Sequence, residues 1–401
     1  MKLTNTEQEI LNGKLGEGAA LAMKILVGIG EAFDARRMIP ITRAHVALSN
    51  QEADLWFAEK LAQAGAKCTI SPTVNPGFCL DFFREKQMGT EKDYHRMKRT
   101  FDAYKMLGAR LNFSCTPYLF DNIPRIDEII SFSESSATPF VNSIWGARSN
   151  RESAQSALCA AIIGKVPEYG LIVRTNRRAT AKVVVEAPLS DDFAYQQLGW
   201  AVPKKIGYRI PVFEGVPSGV SMEALMNLGA QLNTAGAVPM YHIVGVTPEA
   251  PSLEAALHGK EPEVEVRITQ NDLDAQLESF SDTPGPIEFV MFGCPHFTIR
   301  QVREVANIVE GRTLLTEMWV LTSSYTYEMA KRAGLLDIIQ NAGGNIVPDT
   351  CIDQPCWRHL AGKRGATDSP KCAYYTRRRD MRLVVRDLKT CVEASLKGSI
   401  E

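Results

Sequence analysis

Short apolar runs alternate with amphipathic stretches along most of this chain of 401 residues. The patterns predict strands at 44–48, 68–70, 110–114, 171–175, 181–187, 238–244, 287–292 and 313–321, and helices at 4–34, 91–107, 151–163, 221–234, 298–309, 324–335 and 387–396. A helix-start signal, Ser49-Asn50-Gln51-Glu52, precedes one further amphipathic segment that runs to Leu61. Strands that alternate with helices are typical of parallel sheets covered by helical layers. We therefore predict an α/β fold.

The charge balance limits the kinds of partner that such a chain can have. The sequence holds 45 basic and 46 acidic residues, a formal net charge of -1, which gives no electrostatic reason to expect nucleic acid or an anionic membrane. No apolar run approaches the roughly 20 residues that cross a bilayer, and the first residues lack the apolar core of a signal peptide. We expect a cytoplasmic protein that binds a small molecule, with soft subdomains at about 1–150, 151–285 and 286–396.

Three of the nine cysteines stand in short polar segments directly after apolar runs: Cys115, Cys294 and Cys351. This placement is typical of ligands delivered from strand ends. Three thiolates are one fewer than the four that fully hold an iron-sulfur cluster, and an iron left open can act as a Lewis acid. The alternatives are buried cysteines that act as small hydrophobic residues, or a zinc site formed by Cys294, His296 and Cys351.

A polar segment at 131–151 contains closely spaced hydroxyls, amides and two arginines. Arg148 and Arg151 are suited to hold a carboxylate or phosphate by paired hydrogen bonds, and Glu134 to orient them or act on a proton. The alternative is a helix N-terminus that Asn150 or Ser149 caps, with solvated arginines.

Two further segments carry candidate residues. His242 lies within a predicted strand and is more often structural there, whereas Thr247 and Glu249 follow the strand end, where α/β proteins bind ligands. Lys371 lies between a proline and aromatic residues, where it can contact an anionic substrate group or neutralise charge near a cluster. The run of arginines at 377–379 is interpreted as a solvated or subunit-contact face.

The ordered set of motifs resembles the large, catalytic subunit of the aconitase X family over residues 1–396. The stretches that carry the resemblance are 3–4, 7–16, 72–76, 115–118, 134–142, 146–148, 150–151, 236–238, 242, 245–250, 293–296, 349–351 and 369–371. The resemblance implies an aconitase-like fold of three α/β subdomains around an iron-sulfur cluster, of the 4Fe-4S or 2Fe-2S type. It also implies that Cys115, Cys294 and Cys351 hold this cluster.

The implied activity is that of a hydro-lyase: a hydroxyl leaves at the free iron while a base removes a proton beside a carboxylate. The catalytic residues implied are Glu134, Ser135, Arg148, Arg151, Thr247, Glu249 and Lys371, and the substrate-binding residues are Asn75, Ser136, Asn142, Asn150, His242 and His296. Family members also need a small swivelling domain that carries a serine thought to be the base. No segment here resembles it, so we expect a separate small subunit, and a large subunit that is inactive alone.

Two substrates are familiar for this family. The cysteine content and ordinary charge content favour a cis-3-hydroxy-L-proline dehydratase, with mevalonate 5-phosphate dehydratase as the alternative. A non-catalytic or zinc-binding protein that binds a small molecule is the remaining alternative. At Trp145, Pro370 and Cys372 the sequence differs from the residues that are common in the family. The resemblance therefore does not determine the shape of the pocket at these positions.

Overall fold

The structure is a computed structural model that describes residues 1–48 and 51–401; the predicted helix start at Ser49 and Asn50 lies outside this part. Its three larger sheets are parallel throughout. In spatial order, the first contains Thr73–Asn75, Arg43–Ala47 and Ile130–Phe132; the second contains His242–Ile243, Pro211–Glu214, Ala181–Val185 and Val264–Ile268; the third contains Asn345–Pro348, Glu317–Thr322, Phe289–Phe297, Arg364–Thr367 and Arg382–Val385. The predicted α/β fold is confirmed.

Two small antiparallel pairs complete the sheets. Met38–Pro40 pairs with Lys165–Pro167, and Gly285–Pro286 pairs with Ser399–Ile400. The α-helices are Asn5–Leu11, Glu17–Ala32, Glu52–Gln63, Leu80–Glu85, Glu91–Leu107, Ala137–Ser143, Ala154–Ile163, Asp192–Ile206, Met222–Gly236, Leu253–Ala256, Gln270–Phe280, Ile299–Val309, Ser324–Arg332, Leu335–Asn341, Pro370–Thr376 and Leu388–Lys397. Within the described residues, none of these helices has the length and apolar character needed to span a bilayer.

Local sequence explains where several helices begin. Thr90 and Asp93 form a capping box at the start of Glu91–Leu107. Thr298 and Gln301 form another at the start of Ile299–Val309. The amphipathic pattern at 4–34 is divided into two helices at Gly16, whose φ of 92° is open to glycine but unfavourable for other residues.

Three predicted strands are absent from the described fold. Cys68 and Ile70 donate single backbone bonds to Leu107 and Ala161 instead of joining a ladder. Residues 110–114 make one isolated bridge, because Phe113 has a φ of 43° and leaves the extended conformation. Residues 171–175 fall in the 3₁₀ turns Gly170–Ile172 and Arg174–Arg177. These predictions were wrong because they rested on apolar content alone, which does not show whether a segment pairs with another strand.

One continuous apolar core joins the first and third sheets. Phe83 and Trp319 each pack edge-on against Trp357, with ring centroids 5.1 and 5.0 Å apart. This shared core fixes the ends of the two sheets relative to each other. The cavity described next lies between them.

Candidate active site

A cavity of about 320 Å³ lies between the first and third sheets. Nine predicted site residues line it: Asn75, Cys115, Glu134, Ser135, Arg151, Cys294, His296, Cys351 and Lys371. They come from loops and strand ends as far apart in sequence as 75 and 371, so only the tertiary fold brings them together. The three predicted cluster ligands therefore face one space.

Each of the three cysteines follows closely on a residue with positive φ. Phe113, Gly293 and Asp349 have φ values of 43°, 97° and 52°, and each turns the chain just before its cysteine. At Gly293 a Cβ atom would lie 2.1 Å from the carbonyl oxygen of Leu321, so no larger residue fits. Strand pairing is interrupted there, between Phe292 and Phe297, which releases Cys294 from the ladder.

Backbone groups from neighbouring segments point at two of the thiols. The N–H of His296 donates to Sγ of Cys115 at 3.3 Å, and the N–H of Asp353 donates to Sγ of Cys351 at 3.4 Å. Such hydrogen bonds favour a thiolate and hold its orientation. The carbonyl of Cys294 is itself fixed by the hydroxyl of Ser369 at 2.6 Å.

Burial raises the pKa of all three thiols, that of Cys351 to about 12, although the charge of Lys371 acts in the opposite direction. The free thiols are therefore protonated at neutral pH, and a metal that binds them displaces protons. Burial also lowers the pKa of His296 to about 4, so its ring is neutral.

The donor set fits an iron-sulfur cluster better than a single ion. Among the described residues, no group of three or more His, Cys, Asp or Glu side chains is arranged to hold one metal ion. This finding does not favour zinc at Cys294, His296 and Cys351. The ring Nε2 of His296 bonds to the carbonyl of Thr350 at 3.0 Å, and its Nδ1 has no hydrogen-bond partner among the described residues. A cluster spreads its cysteines over different irons and needs no such convergence.

Lys371 and Glu134 form a buried ion pair beside the cysteines. Their charged atoms lie 3.6 Å apart, and Lys371 donates to the hydroxyl of Ser136 at 2.6 Å. Burial opposes both charges, yet mutual attraction raises the pKa of Lys371 and lowers that of Glu134. Glu134 also accepts from Ser135 and from the backbone of Ser136 and Ala137. Both groups are therefore charged.

Sequence reasoning missed two arginines near the cavity wall. Arg378 and Arg379 both bond to the carboxylate of Asp353, two residues after Cys351, and Arg378 lines the cavity. Arg378 is 54% exposed, in agreement with the interpretation of 377–379 as a solvated face, whereas the side chain of Arg379 is 26% exposed. Arg377 instead donates to the carbonyl of Phe280. The signal available was Asp353, an acid close to a predicted ligand.

Seven predicted site residues do not line the cavity: Ser136, which accepts from Lys371, and Asn142, Arg148, Asn150, His242, Thr247 and Glu249. The structure gives them other contacts. Arg148 donates to the carbonyl of Ile172, Asn150 accepts from the N–H of Leu171, and Thr247 bonds to the backbone of Ile243.

The remaining three of these residues surround Arg177, a fully buried arginine that sequence reasoning missed. Arg177 pairs with Glu249, donates to the carbonyl of Asn142 at 3.0 Å, and its own carbonyl bonds to Nε2 of His242 at 2.8 Å. Its side chain is 1% exposed. A buried charge is stable only with such a set of partners. Since these partners come from both the first and the second sheet regions, the cluster joins the two.

Parallel α/β layers around a cavity with three cysteines and a buried lysine define a candidate cluster-binding, acid–base enzyme site. Family models for the aconitase X first, second and third domains match residues 1–175, 179–278 and 287–397. The chain belongs to the aconitase X family.

Relatives and a solved structure agree with this assignment. The chain is 36% identical to the phosphomevalonate dehydratase large subunit of Thermococcus kodakarensis, over 94% of this chain and 95% of that one. It is 34% identical to the cis-3-hydroxy-L-proline dehydratase of Pseudomonas aeruginosa, over 99% of this chain and 70% of that one. The crystal structure of Thermococcus kodakaraensis aconitase X in its holo-form superposes with a TM-score of 0.90 at 32% identity, covering 98% of this chain and 100% of that one. These relatives are named dehydratases, which are carbon–oxygen lyases.

Proposed function

We propose that this chain is the large subunit of a hydro-lyase that removes water from a β-hydroxy acid. The observation that carries the proposal is the buried Lys371–Glu134 pair in the same cavity as Cys115, Cys294 and Cys351. The names of the relatives support the reaction class, since mevalonate and 3-hydroxyproline both carry a hydroxyl β to a carboxylate.

The three cysteines would hold an iron-sulfur cluster, which when bound supplies a Lewis acid for the leaving hydroxyl. In the elimination, the bond from the α-carbon to its proton breaks and its electron pair forms the double bond. The bond from the β-carbon to the hydroxyl oxygen breaks and its electron pair leaves with the hydroxide. The proton and the hydroxide that the substrate loses together make one water.

Lys371 is the residue of this chain best placed to promote loss of the α-proton. Its ammonium is charged and buried, so it can bind the substrate carboxylate and stabilise the negative charge that develops there as the proton leaves. Glu134 positions Lys371, and the backbone of Ser136 and Ala137 positions Glu134. These contacts hold both charges in place before a substrate binds.

We propose that the base is supplied by a small subunit. Five relatives are named large subunits, and the chain spans about 95% of the one from T. kodakarensis but 70% of the P. aeruginosa enzyme. We expect the part of the P. aeruginosa enzyme that this chain does not match to correspond to a separate partner chain. Activity therefore requires both subunits.

The charges that line the cavity favour cis-3-hydroxy-L-proline as substrate. Three cationic side chains, Arg151, Lys371 and Arg378, face two carboxylates, Glu134 and Asp353. A zwitterionic amino acid needs both signs, one for its carboxylate and one for its ring nitrogen. Phosphomevalonate carries about three negative charges and would leave this half-enclosed wall with an excess of them.

Phosphomevalonate is a second candidate that two observations favour. Relatives named phosphomevalonate dehydratase large subunit agree with this chain in length. Arg378 is also 54% exposed at the wall, where it can leave Asp353 to meet a phosphate.

The decisive experiment is an assay of both substrates with the two-subunit enzyme, purified without oxygen and with its iron and sulfide measured. We expect dehydration of cis-3-hydroxy-L-proline with a kcat/KM at least about tenfold above that for phosphomevalonate. Preference for phosphomevalonate would overturn the substrate. An iron-loaded complex that dehydrates neither acid would overturn the function.

A further inference from the structure

A second polar cavity lies behind the start of the helix Pro370–Thr376, which carries Lys371, between the second and third sheet regions. Five carboxylates line it, those of Asp191, Asp192, Glu304, Asp368 and Asp387, against two cations, Arg300 and Lys389. Arg300 is already paired with Asp192 and Glu223. The cavity wall is therefore strongly acidic.

Asp368 marks this cavity as more than a cluster of acids. Its residue is 4% exposed, and its Oδ1 has no hydrogen-bond partner among the described residues. Asn227, on another helix, is 3% exposed and likewise leaves its amide nitrogen without one. Buried polar atoms that a protein leaves unpaired are costly and call for a bound group.

The neighbouring carboxylates reinforce this conclusion. Burial, together with the charges of Glu304, Asp192 and Asp387, raises the pKa of Asp368 to about 7. Burial and the same surrounding acids raise the pKa of Glu304 as well. A cation in the cavity would relieve this repulsion.

We propose that this cavity binds a small cation that donates hydrogen bonds, either a hydrated divalent metal ion or an organic ammonium ion, with Asp368 and Glu304 as its acceptors. Direct ligation of a bare ion is disfavoured, because no three such side chains in the described residues converge on one point. A hydrated ion keeps its own waters, and one of these waters can accept a hydrogen bond from the side-chain amide nitrogen of Asn227.

The position of the cavity gives such a cation a structural role. Asp368 directly precedes Ser369, whose hydroxyl holds the carbonyl of Cys294 and caps the helix that bears Lys371. A cation bound to Asp368 would thus fix the back of the loop whose front lines the active-site cavity.

The test is titration calorimetry of the two-subunit enzyme with magnesium chloride alone and with putrescine alone, on wild type and on the D368N, E304Q and D274N variants. D274N is the control, because it removes one negative charge at an exposed carboxylate that does not line the cavity. We expect saturable binding of one or both probes, weakened at least about tenfold in D368N and retained in D274N.

The probe that binds identifies the source: magnesium alone indicates a hydrated metal ion, and putrescine alone indicates an organic ammonium. If D368N does not fold, E304Q carries the test, since Glu304 is only partly buried. Saturation by neither probe would overturn the proposal, and so would equal affinities in wild type and in the cavity variants.

Discussion

The ammonium of Lys371 lies 3.6 Å from the carboxylate of Glu134, although both side chains are more than nine-tenths buried. A buried ion pair is stable only when hydrogen bonds satisfy its remaining atoms, and Ser135, Ser136 and Ala137 supply them. The pair thus holds a positive charge at a defined place in the cavity.

Removal of one partner of this pair should destabilise the protein strongly. We expect K371M and E134Q each to lower the free energy of unfolding by about 3–5 kcal/mol, since each leaves an uncompensated buried charge. The double variant should lose less than the sum of the single losses, as urea unfolding of all three variants can measure. Additive losses would show that the two charges do not interact.

Changing Cys115, Cys294 or Cys351 to serine should remove the cluster. We expect each variant to lose its iron and visible absorption, and at least about a hundredfold of its activity, while it remains folded by circular dichroism. C68S is the matched control, because Cys68 lies outside the cavity and should keep both iron and activity. A colourless C68S protein, or an iron-loaded C351S protein, would contradict the assignment of ligands.

Arg151 should contribute to substrate binding more than to the chemical step. Its exposed side chain lines the cavity, so R151Q should raise KM about tenfold, the effect of one lost charge-assisted hydrogen bond, with kcat nearly unchanged. R382Q, at an exposed arginine that does not line the cavity, is the control. A fall in kcat at constant KM would instead assign Arg151 to the transition state.

Arg177 should matter for stability and not for substrate binding. R177M leaves Glu249 unpaired and removes the bonds to Asn142, so we expect about 3–5 kcal/mol less stability. R178M, next in sequence but partly exposed, should lose at most about 1 kcal/mol. KM of the folded R177M fraction should equal that of wild type; a large increase would place this cluster in the active site.

Asp368 should make stability fall as pH rises. Because its folded-state pKa of about 7 exceeds the ordinary value of 3.8, the folded protein binds more protons than the unfolded chain between these two values. Between pH 4 and 7, in chelator and without polyamine, wild type should lose up to about 1.4 kcal/mol per pH unit relative to D368N. Equal pH profiles for the two proteins would refute this.

Local pattern was enough to predict the alternation of the fold and several of its helices, but not Asp192–Ile206 or Gln270–Phe280. The helix predicted at 91–107 has those bounds in the structure, because its capping box and its apolar period are both local. Within the strand predicted at 238–244, only His242–Ile243 is a strand in the structure, since strand pairing depends on which other strand lies alongside. Strand existence is therefore a tertiary property that apolar content only suggests.

The sequence by itself determined the α/β class and singled out Cys115, Cys294, Cys351 and Lys371 as candidates for chemistry. Only the tertiary structure decided which polar motifs share a cavity. Glu134 and Glu249 look alike in sequence, each an acid in a polar loop after an apolar strand. One pairs with Lys371 beside the cysteines, and the other with Arg177 from 72 positions away. A polar loop has the same composition whether a ligand or a distant buried charge satisfies it, and only the packing of the chain distinguishes the two.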